Sequence, residues 1–267
     1  MPANGEQESA DAEKVDEAIQ VLRRGDLERA AALLTEVIRN TPFDYAFTDE
    51  HEDNVFLRFW DQEQFVYYVM TQNPQKNVHW TRNAYGRAFY YMGFLLVEAK
   101  QYEEALKPLA HGLLLEPEQP LFRLETGKAL AMLRRNDSSL REYEAVLSRG
   151  DAVAPTPRAA ALRGKGCQLI ELTRLDEAEH ALLASLELDP NSPVAHNELQ
   201  YIAHLRAGGS PGAPSATTLL QTGNGNVCSL YGSLMQTGSV FNNKGQLVYV
   251  CEACEKRATK KWWQFWR

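Results

Sequence analysis

The sequence predicts a mostly α-helical solenoid of helix-turn-helix repeats with a small β-hairpin appendage near its C-terminal end. Three observations carry this expectation. A 34-residue pattern of small and apolar residues occurs in four copies. The 267 residues divide into an acidic body, −11 over residues 1–206, and a basic end, +4 over residues 228–267. That basic end also changes texture, from helical periodicity to short β-like runs with three of the chain's four cysteines.

The first copy, 11–44, places Ala18, Val21, Gly25, Leu27, Ala30, Leu34 and Pro42 in register, and residues 1–10 before it are polar and expected to be disordered. The second, 86–119, puts Phe89, Met92, Gly93 and Leu96 on one helix and Tyr102, Ala105, Leu109 and Gly112 on the next, with Pro117 ending it. The third, 120–153, carries Gly127, Leu130, Ser139 and Tyr143, with Asp151 where the terminal proline would stand. The fourth, 159–192, carries Gly166, Leu169, Leu175, Ala178, Leu182 and Pro190. This register resembles the tetratricopeptide repeat (TPR), whose small residues at positions 8 and 20 let two antiparallel helices approach closely. Residues 193–206 then read as the solvating helix that caps such an array.

Residues 45–85 fall outside the repeats. Within them the apolar periodicity of 53–72 predicts a helix, preceded by the acidic stretch Asp49 to Asp53 as N-terminal helix charge, with cation binding as the other reading of those acids. Residues 207–227 carry no charge and are rich in Gly, Pro, Ser and Thr, the composition of a flexible linker. Beyond it, Asn242-Asn243-Lys244-Gly245 between apolar runs is a hairpin signal, and the chain closes on a predicted helix.

Composition narrows the function. A net charge of −7 argues against a general nucleic-acid binder, which needs a basic excess to meet phosphates. No run reaches 18 apolar residues, so no stable membrane insertion is expected, and the polar N-terminus with few cysteines points to the cytoplasm. No GxSxG, HExxH, P-loop or GxGxxG pattern occurs, and the expectation is a protein that is not an enzyme.

By resemblance, the first helix of each repeat lines the concave surface of the array, and that surface binds partners. The positions so implied include Arg87, Tyr90, Tyr91 and Phe94 in the second copy, Leu124 and Lys128 in the third, and Arg163 in the fourth. The carboxylate clamp known in the family requires Lys and Asn where this chain has Tyr90, Phe94 and Glu125, so recognition of an acidic chaperone tail is disfavoured. Fifteen of the 26 aromatic residues lie between Phe43 and Phe94, which makes the groove aromatic. Two readings stand side by side: rings that pack the inserted segment onto the array, and rings that anchor an apolar side chain or amphipathic helix of a partner.

Cys228-Ser-Leu-Tyr231-Gly232 and Cys251-Glu-Ala-Cys254 resemble the small zinc-binding domain of the ClpX unfoldase, with Tyr231 where a second sulfur would be. The resemblance implies Zn²⁺ held by Cys228, Cys251 and Cys254; a metal-free knuckle and a redox pair are the alternatives. Zn²⁺ is the sole cofactor suggested. The last residues carry Trp262, Trp263, Phe265 and Trp266 among Lys260, Lys261 and Arg267. Such a segment suits docking within the molecule, a protein partner, or contact with lipid. The sequence therefore reads as an interaction scaffold or adaptor that binds a peptide or helix. The alternative is a zinc- or redox-responsive regulator whose cysteine module gates binding.

Overall fold

The computed structural model of the chain describes residues 5–209 and two short strands at 239–241 and 247–249. The protein is mostly α, with helices α1 (Gly5–Arg23) and α2 (Leu27–Arg39) first. An inserted unit follows: β1 (Thr48–His51), β2 (Asn54–Phe59), α3 (Gln62–Gln72) and β3 (Asn77–Arg82). Three helix pairs come next: α4 (Tyr85–Glu98) with α5 (Tyr102–Leu115), α6 (Pro120–Met132) with α7 (Asn136–Leu147), and α8 (Pro155–Glu171) with α9 (Leu175–Leu188). Helix α10 (Pro193–Arg206) packs on α8 and α9.

Each helix pair closes by the same small-against-large contact. A Cβ added to Gly93 would lie 2.5 Å from Leu109, one on Gly127 would lie 2.7 Å from the Tyr143 ring, and one on Gly166 would lie 2.6 Å from Leu182. In the first pair Ala18 and Leu34 occupy the equivalent places, both inaccessible or nearly so. Ala30, Ala105, Ser139 and Ala178 are fully buried at the matching point of each second helix. The one polar member is satisfied, since Ser139 Oγ donates to the Gly127 carbonyl at 2.7 Å. The turn between paired helices is equally regular: Gly25, Lys100, Arg134 and Thr173 all take positive φ, at 85°, 62°, 58° and 59°. That conformation is free for glycine and strained for a β-branched residue such as Thr173.

The insertion leaves the stacking of repeats intact. Helix α4 packs against both α1 and α2, sharing a core of Val15, Leu34, Val37, Tyr85 and Ala88. The inserted residues form a three-stranded sheet ordered β1-β2-β3, with β1 antiparallel and β3 parallel to the central β2, and α3 crossing between β2 and β3. Val55, Leu57 and Phe59 bury one face of β2 against Phe65 and Tyr68 of α3.

Three expectations are corrected. The run 53–72 is a strand, a break and a helix, because Asp61 stops the strand and caps α3 through the Gln64 amide at 2.9 Å. The acids 49–53 supply β1 and its turn, where Glu50 meets Lys76 at 2.6 Å and Asp49 meets His51 at 3.1 Å. Residues 5–10 are helical from Gly5 onward, with Glu8 buried on Arg58 of β2 at 2.8 Å. Near the C-terminus, β4 (Ser239–Phe241) pairs antiparallel with β5 (Leu247–Tyr249), flanking the predicted turn. The linker beyond Gly209, the cysteines Cys228, Cys251 and Cys254, and the tail residues Trp262, Trp263, Phe265 and Trp266 lie outside the described residues.

Candidate partner-binding face

The first helices of successive repeats, α4, α6, α8 and the capping α10, lie side by side and form one face. At its centre Tyr90 of α4 is wedged between Trp60, which leaves the end of β2, and Phe122 of α6, with ring centroids 5.2 Å and 6.1 Å away. Trp60 also meets Phe122 edge-on at 5.6 Å. Most of the aromatic cluster is therefore packing between insertion and array, and Trp60 is the residue that makes the join.

A buried carboxylate organises that join. Glu116, at the end of α5, accepts hydrogen bonds from Asn83 Nδ2 at 2.7 Å, Trp60 Nε1 at 2.8 Å and the Tyr45 hydroxyl at 3.1 Å. Burial pushes its carboxyl up to about 7, against the opposing pull of the bonds it accepts from Asn83, Trp60 and Tyr45. Farther along, Gln119 Nε2 donates to Gln64 Oε1 at 3.4 Å, and the Tyr67 hydroxyl donates to the Asp151 carbonyl at 2.6 Å. The insertion thus runs past the entrances of α6 and α8 and walls the face on that side.

Beyond the wall the face is half open. Phe94 is partly buried beside Tyr90, and the Lys128 ammonium sits 5.4 Å from its ring centroid. Lys128 also lies 3.2 Å from Glu98 and 3.3 Å from Glu125. Glu125 is buried, and its Oε1 has no hydrogen bond despite that ion pair, because the approach is misaligned. Burial raises the Glu125 carboxyl, with the Lys128 charge pulling the other way, and burial first and Glu125 second raise the Tyr90 phenol. Farther along the face, burial raises the Glu198 carboxyl and the charge of Glu171 adds to it. Burial likewise pushes the Cys167 thiol up to about 12, so it stays a thiol and a poor nucleophile.

Of the sequence-predicted groove residues, the structure brings Tyr90, Phe94 and Lys128 together. Tyr91 touches Tyr90 edge-on at 5.2 Å but packs toward the first repeat, where Arg87 pairs with Asp16 at 2.6 Å. Leu124 is packed against the cluster around Tyr143 and Val146, and Arg163 pairs with Asp189 at 3.0 Å. Trp60 lies in the aromatic window the sequence singles out, but its bond to Glu116 was not anticipated, and neither was Glu198. The repeat register points to Glu198 as an inward position of the capping helix, whereas no local signal places Trp60. Among the described residues no group of three or more His, Cys, Asp or Glu could hold a metal ion. No described helix is long and apolar enough to cross a membrane.

No protein-family model matches the chain, and no curated protein matches it. Among solved structures it is similar to PilW, a type IV pilus biogenesis factor, at 18% identity over 74% of this chain and 70% of that one, with a TM-score of 0.54. The fold is that of a tetratricopeptide-repeat array. Looser likenesses are to MamA from Desulfovibrio magneticus RS-1, with 18% identity, 74% and 86% coverage and a TM-score of 0.47. A tetratricopeptide repeat protein from Parabacteroides merdae follows, with 15% identity, 73% and 60% coverage and a TM-score of 0.48.

Proposed function

We propose that the protein is a non-catalytic adaptor that holds a peptide or short helix against the face of α4, α6 and α8. The observation that supports this most directly is Phe94: a half-buried ring beside Tyr90, itself held edge-on by Trp60 and Phe122, with its outer side approached by a lysine rather than by core. Pre-set aromatic surface loses little side-chain entropy on binding, which is what an anchor site needs. The paired charges Lys128–Glu98 and Arg134–Glu171 at the rim set the register of a ligand, contributing more to specificity than to affinity. Binding at this face leaves the tight second-helix contacts untouched, so the array acts as a rigid support.

The test is selection of peptides from a display library on the full chain, followed by affinity measurement on Phe94→Ala. Selected peptides should bind the variant at least about tenfold more weakly, the loss expected for one buried anchor. Equal binding to a Phe94→Ala protein of unchanged circular dichroism would place the site elsewhere.

A further inference from the structure

We infer that the occupant of this face is the chain's own C-terminal segment Lys260–Arg267, so that the adaptor covers its own site until a partner displaces it. The inference rests on the proposed binding face and names its ligand. Charge provides the first argument. Carboxylates of the face outnumber the bases that pair with them: Lys128 serves both Glu98 and Glu125, Arg134 serves Glu171, and Glu198 makes no ion pair among the described residues. Burial first and the charge of Glu171 second raise the Glu198 carboxyl. A cationic segment offsets the excess of carboxylates that remains at the surface of the face. The segment 260–267 has three bases and no acid, on an end that is +4 against a body of −11.

Chemistry of the side chains supplies the second argument. Trp262, Trp263, Phe265 and Trp266 offer ring surface to Phe94, and Met132 at 55% exposure extends the apolar floor on α6. In the segment the bases Lys260, Lys261 and Arg267 flank the four rings on both sides. Reach is the third argument. The face includes Glu198 on α10, the last described helix before the uncharged stretch, and the contour length of residues 207–227 alone is about 70 Å, more than the breadth of three repeat helices at about 10 Å each. A tethered ligand of this kind competes at an effective concentration of roughly millimolar.

The experiment uses a fluorescent peptide of sequence Lys260–Arg267 and two full-length chains, the wild type and one with Trp262, Trp263, Phe265 and Trp266 all replaced by Ala. The peptide should bind the four-alanine chain at least about tenfold more tightly than the wild type, whose own tail occupies the face. Adding Glu171→Lys, a half-exposed position whose change leaves the core alone, should weaken that binding about fivefold or more, and raised salt should weaken it further. Equal affinity for both chains, or binding indifferent to Glu171→Lys and to Phe94→Ala, overturns the inference. Display-selected peptides separate the two failures. If they depend on Phe94 while the tail peptide does not bind, the face stands and the self-ligand falls; if they too ignore Phe94, both fall.

Discussion

The indole of Trp60 donates to Glu116 Oε2 at 2.8 Å across 56 positions of sequence, and this bond ties the residue just after the inserted strand β2 to the end of α5. The carboxylate it reaches lies against the α4 backbone with no room to spare. A Cβ on Gly86 would stand 1.7 Å from Glu116 Oε1. Gly86→Ala should therefore destabilise the protein by about 2–3 kcal/mol, as overpacking of a buried site does. Urea denaturation measures it, and Glu116→Ala in the same chain makes space, so the double variant should lose less than the sum of the two single changes.

The same carboxyl makes stability depend on pH. Its folded value of about 7 exceeds the ordinary 4.5, so the fold binds the proton more tightly than the unfolded chain does. The stabilisation is fully present below pH 4.5 and is lost as pH rises through 7, an effect of about 3 kcal/mol. Glu116→Gln cannot titrate. Its deficit relative to wild type should be largest near pH 4.5 and shrink toward pH 7.5; parallel stability curves for the two proteins would exclude this account.

Arg58 and Glu8 form a buried pair, Nε to Oε1 at 2.8 Å, with Arg58 also donating to the Ala46 carbonyl at 2.6 Å. Arg58→Ala leaves Glu8 charged and enclosed, and a loss of about 3–5 kcal/mol is expected. Replacing both residues with Met removes both charges together and should cost clearly less. Thermal denaturation of the single and double variants decides this, and equal losses would show that the pair is not coupled.

Tyr67 holds α3 against the junction of the third and fourth repeats through the Asp151 carbonyl. Tyr67→Phe removes one solvent-accessible hydrogen bond, worth about 1 kcal/mol. The change should appear locally in hydrogen exchange, as faster exchange in α3 and in the turn at 150–152 with α9 unaffected. Uniform acceleration across the array would mean that Tyr67 supports the whole fold and not the wall alone.

The repeat helices were readable because each pair's closure depends on residues inside one repeat: Gly127 and Tyr143, or Gly166 and Leu182, stand at fixed spacing and meet by local geometry. The inserted unit was not, since Val55 to Phe59 is an apolar run too short for periodicity to separate strand from helix. Its pairing partner β3 begins after a whole helix, and the one cue available was Asp61 as a helix cap. On the proposed face, register alone led to Tyr90, Phe94 and Lys128. It also led to Arg87, Leu124 and Arg163, whose orientation is decided by Asp16, the Tyr143 cluster and Asp189.

By itself the sequence determined the repeat register, the second-helix core, and the division into an acidic body and a basic end. Tertiary structure alone decided that the insertion is a β-β-α-β unit, that it walls the face, and that Glu8, Arg58 and Glu116 are interior. The reason is the range over which each choice is made. A small residue opposite a large one is settled within a repeat, whereas Glu8 and Glu116 are satisfied in the interior by Arg58 and Trp60, 50 and 56 positions away.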